Sequence, residues 1–178
     1  FTNLSQYLEK NEKIGLCGPK VLNDDGTLQP SVMLFPSVKM SFVHAFALHR
    51  MFPKSHYTAN LFDSNFTYDR IENVDALSGC FWFARGDLMR KINGLDERFF
   101  MYSEELEWQY RLAQTRPLHN TQPSSPIVYV PEAVIIHHEG KSSEQVQVAR
   151  HIHFQCSKLR LAQLWYGKPF ATLLYAFL

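Results

Sequence analysis

Segments with strand character alternate with segments of helical spacing along this chain, and that alternation confines it to an α/β architecture. Ile14-Gly15-Leu16-Cys17-Gly18 is apolar and bounded by Gly and Pro, which predicts a buried strand. Lys20-Val21-Leu22 continues it to Asn23-Asp24-Asp25-Gly26, a turn signal, and residues 27–32 are expected to return as a hairpin. Residues 74–83 read as a second buried strand, in which Gly79 and Cys80 permit close approach of a ligand or backbone. Residues 127–130 and 133–137 read as two strands broken at Pro131-Glu132. Helices are expected over residues 4–11, 41–51, 87–92, 104–114 and 144–166. Asn93-Gly94 is a stop signal for the third, and Ser103 is a good side-chain N-cap for the fourth.

At 178 residues the chain suits one domain, and a hydrophobic content of 46% is ample for a core. A net charge of +1 argues against a nucleic-acid binder working through a broad basic surface, and equally against an acidic disordered segment. The cysteines, Cys17, Cys80 and Cys156, are odd in number and widely spaced, so no disulfide framework or zinc ribbon is expected. A reducing, cytoplasmic setting fits them. Residues 170–178 form an apolar run shorter than the roughly 20 residues that span a bilayer. Two readings stand: an amphipathic helix packed on the domain, or the start of a membrane-spanning helix. The Pro, Ser, Asn and Thr of residues 116–126 predict an exposed surface insertion.

Three constellations could carry chemistry. The first is Asp96-Glu97 followed by Glu104-Glu105-Leu106-Glu107. Glu104 and Glu105 fall in the first turn of a helix, where free amides and the dipole favour ionised carboxylates. Acids there commonly serve the dipole alone, and spacing by itself favours that reading. Glu107 and Arg111 have the order of a surface ion pair, while Leu106, Tyr110 and Ala113 make an apolar stripe. The second is His137-His138-Glu139-Gly140; neighbouring strand residues face opposite ways, so one histidine at most serves a given site. The third is Ser78-Gly79-Cys80-Phe81-Trp82-Phe83, where a cysteine beside aromatics is more often core than nucleophile. No GxGxxG or P-loop pattern occurs.

In order along the chain, several of these segments resemble a known family. They are Ile14 to Leu22 with Asp25-Gly26, Phe35-Pro36, and Ser78-Gly79-Cys80-Phe81. Asn93-Gly94-Leu95-Asp96-Glu97-Arg98-Phe99-Phe100-Met101-Tyr102-Ser103-Glu104-Glu105-Leu106-Glu107-Trp108 with Arg111 is the strongest. Val130-Pro131-Glu132-Ala133 and His137-His138-Glu139-Gly140-Lys141-Ser142-Ser143 follow. Together they resemble the C-terminal half of a family 2 glycosyltransferase of the bacterial rhamnosyltransferase-like type. The resemblance implies part of a GT-A fold, a mixed sheet flanked by helices. Residues 1–168 would be the acceptor-side half and residues 169–178 the start of an apolar helix open to membrane association. The nucleotide-binding half and its Asp-x-Asp element would precede Phe1; no Asp-x-Asp occurs here. Where the family often has Glu-Asp, this chain has Glu104-Glu105.

The resemblance further implies inverting transfer of a sugar from a nucleotide-sugar donor to a hydroxyl acceptor, saccharide or lipid-linked, in cell-surface polysaccharide or glycolipid synthesis. Glu105 would be the catalytic base. Glu104, Asp96, Trp82 and Tyr102 would meet the acceptor. His137 would approach a divalent cation, Mg2+ or Mn2+, whose other ligands lie upstream. No nucleic acid is implied, and peripheral contact with the inner face of the cell membrane is. The competing class is a non-catalytic carbohydrate-binding or interaction module on the same fold.

Overall fold

The computed structural model describes residues 2–45, 62–115, 126–138 and 147–176. Its frame is a four-stranded mixed sheet in the order β3-β6-β1-β5, formed by Glu72–Asn73, Ile127–Ile136, Leu16–Leu22 and Phe83–Ala84. β1 and β6 run parallel at the centre, and β3 and β5 pair antiparallel at the edges. A two-stranded antiparallel sheet, β2 (Val32–Met33) with β4 (Ala76–Leu77), lies apart from it.

The first halves of the central strands, residues 16–19 and 127–130, are apolar because both faces are covered there. On one face Leu16, Ile127 and Tyr129 pack against Leu88, Trp108 and Leu112 from α3 (Gly86–Lys91) and α4 (Glu104–Gln114). On the other, Cys17, Val128 and Val130 pack against Leu4 and Leu8 of α1 (Thr2–Lys10). A third cluster joins Leu106 of α4 to Leu161 of α5 (Gln147–Tyr166). Gly167 (φ 84°) then reverses the chain into α6 (Lys168–Tyr175), whose Ala171 and Leu174 pack on Ala162. The apolar tail thus forms a packed helix as far as it is described. Among the described residues, no helix is long and apolar enough to cross a membrane.

Three expectations change. The hairpin return of residues 27–32 shrinks to a single bridge, Leu22 to Leu28. Pro30 has no N–H to extend a ladder, and the chain moves on to pair Val32–Met33 with Ala76–Leu77 instead. The strand expected over residues 74–83 is divided: β4 and β5 belong to different sheets, and residues 78–82 form a strap between them. Its aromatic residues mimic a strand pattern, yet the Trp82 indole N–H turns back to donate to the Ser78 carbonyl at 2.9 Å. The expected break at Pro131-Glu132 is a bulge within one strand: Val130 opposes Pro19, and Val134 opposes the next residue, Lys20. The fourth helix spans its expected residues. The second helix is α2 (Val38–Ala45), and the rest of its expected span lies outside the described residues. So does most of the expected insertion at residues 116–126.

Candidate active site

The site is built where α4 begins. Tyr102 and Ser103, neither a glycine, both adopt left-handed backbone, at φ 67° and 65°. Such residues cost of order 1–3 kcal/mol each and tend to gather at functional positions. Ser103 therefore does not cap α4 with its side chain, contrary to expectation, because its left-handed backbone carries the hydroxyl away from the first-turn amides. Its carbonyl still accepts the first helical bond, from the Glu107 N–H at 2.9 Å. The backbone amides of Glu105 and Ser103 favour the ionised form of the Glu105 carboxylate.

Glu105 is largely withdrawn from water. Its stem lies against the strap: a Cβ placed on Gly79 would sit 3.7 Å from the Glu105 Cβ. One carboxylate oxygen each of Glu104 and Glu105 is buried without a hydrogen-bond partner. Burial first, and the neighbouring Glu104 charge second, push the Glu105 carboxyl up to about 7, against the pull of the two amides. The expectation that the helix dipole would keep it firmly ionised is thus reversed: desolvation outweighs the dipole. The result is a carboxyl that changes charge near neutral pH, with an oxygen free to take a proton from a bound hydroxyl.

Behind Glu105, one helical turn on, Gln109 is fully buried. Its amide accepts from the Leu77 N–H at 2.8 Å, and donates to the Leu77 carbonyl at 2.7 Å and the Glu105 carbonyl at 3.1 Å. It occupies the position a neighbouring strand would, and so locks α4 to β4. Sequence reasoning passed over it; the available signal was a polar residue one position from the apolar stripe, beside Trp108.

Glu107 proves to be a buried residue rather than a surface one. Arg111 donates to both of its oxygens, at 2.8 and 2.9 Å through Nε. The same guanidinium donates to the Gly94 carbonyl at 2.7 Å and to the Ile92 carbonyl, where α3 ends. The pair is a clamp between helices, separate in role from Glu105.

The other candidate residues divide. Asp96 accepts from the Arg98 side chain at 2.6–3.0 Å and from its amide at 2.9 Å, which holds the loop. Arg98 keeps the Asp96 carboxyl below its ordinary range. Tyr102 meets Phe154 of α5 edge-on at 5.7 Å. Trp82 stacks on Trp108 at 5.4 Å and 15°, so one of its faces is already covered. His137 lies at the end of β6, where its Nδ1 contacts Gln29 Oε1 at 2.8 Å and its amide donates to Leu22. His138 pairs with Asp24 in the turn after β1. Among the described residues, no group of three or more His, Cys, Asp or Glu could hold a metal ion. Glu139 lies outside them.

Comparison with known proteins finds relatives of this chain. The chain is 30% identical over 135 residues, 74% of its length, to N-acetylglucosaminyl-diphospho-decaprenol L-rhamnosyltransferase of Mycobacterium tuberculosis, strain CDC 1551 / Oshkosh. The same figures hold for the protein of that name from strain ATCC 25618 / H37Rv. The chain spans 39% of the length of these curated relatives. No family model matches it, and no solved structure does. The chain is therefore related to a glycosyltransferase.

Proposed function

We propose that this chain is the acceptor-side part of an inverting family 2 glycosyltransferase with a GT-A fold. In the reaction, an acceptor hydroxyl attacks the anomeric carbon of a nucleotide-activated sugar. The new C–O bond forms as the bond to the diphosphate breaks, and Glu105 takes the hydroxyl proton. The observation that carries the reading is the Glu105 carboxyl itself, desolvated, raised to about 7 and presenting an unpartnered oxygen. A base poised near the working pH accepts a proton in the transition state and releases it afterwards. Glu104 orients that carboxyl, and Asp96, Tyr102 and the open side of Trp82 border the acceptor.

The relationship to the rhamnosyltransferases supports an L-rhamnosyl donor and a lipid-linked saccharide acceptor. A divalent cation that offsets charge on the departing diphosphate would take its ligands outside the described residues.

The test is Glu105→Gln in the intact protein, which keeps shape and removes basicity. Turnover is expected to fall by about 10²–10⁴-fold while donor binding and melting temperature hold. The sugar should appear with inverted anomeric configuration. Near-normal turnover of Glu105→Gln would remove the base from this position. Acceptor binding with no transfer by the unaltered protein would favour the non-catalytic module.

A further inference from the structure

A groove of about 310 Å³ runs between α2, the start of α4, α5 and α6. That volume is at the lower end of ligand pockets, roughly 300–1,000 Å³. Its long wall is one face of α5, where Phe154, Lys158, Leu161, Ala162 and Trp165 recur at helical spacing. At 1.5 Å per residue this stripe is about 16 Å long. Ser103 and Leu106, which bracket Glu104 and Glu105, line the same groove.

The stripe has a direction. Its Phe154 end is fixed at the loop that leads into α4, because Phe154 meets Tyr102 and Ser157 donates to the Met101 carbonyl at 2.6 Å. Its far end, Trp165, reaches the aromatic cluster of Phe35 and Tyr110. From the α4 end outward, the order is Phe154, then Lys158, then Leu161, Ala162 and Trp165; Glu104 and Glu105 adjoin this end through their chain neighbours Ser103 and Leu106 without lining it.

We propose that this groove seats the first part of the isoprenoid chain of a lipid-linked acceptor, with Lys158 facing its diphosphate and the sugar hydroxyl directed to Glu105. The proposal rests on the glycosyl-transfer reading and extends it to the part of the acceptor that does not react. A sugar-diphosphate-isoprenoid presents an anion followed by hydrocarbon, and the groove presents Lys158 followed by the apolar wall of Leu161, Ala162 and Trp165. Lys158 is half-buried, and no carboxylate among the described residues pairs with it. Burial holds its amine below the ordinary lysine range. A desolvated cation without a partner is costly, and an anionic ligand relieves that cost. A purely apolar occupant would leave Lys158 unanswered.

The experiment compares farnesyl diphosphate, farnesol and inorganic pyrophosphate as probes, read by calorimetry and by tryptophan fluorescence. Farnesyl diphosphate is expected to bind at least about tenfold more tightly than either fragment, the worth of one charge-assisted contact added to the apolar one. Lys158→Gln should erase its advantage over farnesol, and Ser41→Phe, which narrows the groove from α2, should weaken both prenyl probes. Equal binding of the three probes, or indifference to both substitutions, would overturn the proposal. In the intact protein the two variants should raise the KM for a lipid-linked acceptor without changing the KM for donor. Transfer that depends on Glu105 with an unchanged acceptor KM would sink the groove and leave the glycosyl-transfer reading standing. Absence of transfer with tight farnesyl diphosphate binding would do the reverse.

Discussion

Gln109 holds Leu77 by both backbone groups, accepting from its N–H at 2.8 Å and donating to its carbonyl at 2.7 Å. Through this contact, the helix that carries Glu105 is registered against the strand that leads into Gly79. Gln109→Leu keeps much of the volume and removes both bonds. The Leu77 carbonyl retains the Trp82 indole at 3.3 Å, so the amide N–H is the group left without a partner. The expected loss is about 1–3 kcal/mol of stability. Urea denaturation measures it, and a loss below about 0.5 kcal/mol would show that the contact is dispensable.

Stability and activity should respond to pH in opposite senses. The Glu105 carboxyl titrates at about 7 in the folded protein against 4.5 in its ordinary state. Between those values the folded chain keeps a proton that the unfolded chain has lost. Stability from this group is therefore complete below pH 4.5 and falls as pH rises toward 7, by at most about 1.4 kcal/mol per pH unit. Turnover instead rises over the upper part of this range, because a base must be deprotonated. Denaturation midpoints at pH 5 and 7.5 should differ more in the parent than in Glu105→Gln; equal differences would refute the assignment.

Glu107→Gln should damage the fold rather than the chemistry. Removing one partner of a buried pair costs about 3–5 kcal/mol. The lower end applies here, because Arg111 leaves 31% of its side chain in solvent. Arg111→Lys should not rescue the clamp, since a single ammonium cannot reach Glu107, Ile92 and Gly94 together. Thermal melting with turnover normalised to folded protein separates the two effects. Normal stability with lost turnover would move Glu107 into the reaction.

These cases also show what a sequence of this kind discloses. The first halves of β1 and β6 are legible because burial on both faces leaves short apolar runs, and α4 because Leu106, Tyr110 and Ala113 recur at helical spacing. Residues 78–82 misled because Phe81-Trp82-Phe83 has a strand's composition while Trp82 stacks sideways on Trp108. Ser103 misled because a cap is defined by backbone angles that residue type does not specify. The acids around Glu105 were visible as a cluster, but their burial was not. Glu105 and Gln109 owe their depth to contacts with Gly79 and Leu77, brought in from elsewhere in the fold, while Glu107 pairs with Arg111 one turn along its own helix.

Gly18→Ala tests the other side of the strap. A methyl there would lie 2.7 Å from the Leu77 Cδ1 and 3.4 Å from the Phe81 carbonyl oxygen. Leu77 is 2% exposed and has little room to yield. Overpacking of this kind typically costs 1–3 kcal/mol, or about that much here. A neutral result in chemical denaturation would mean that the strap slides freely on the sheet.

At Gly18 the central strand leaves room for a hydrogen but not for a methyl against Leu77, and the Phe81 carbonyl stands close beside it. Gly79, which borders Glu105, lies between Leu77 and Phe81 in the chain, so contacts at Gly18 help to fix the wall of the site from both sides. A change at Gly18, on the far side of Leu77 from the helix, is the kind that would alter it.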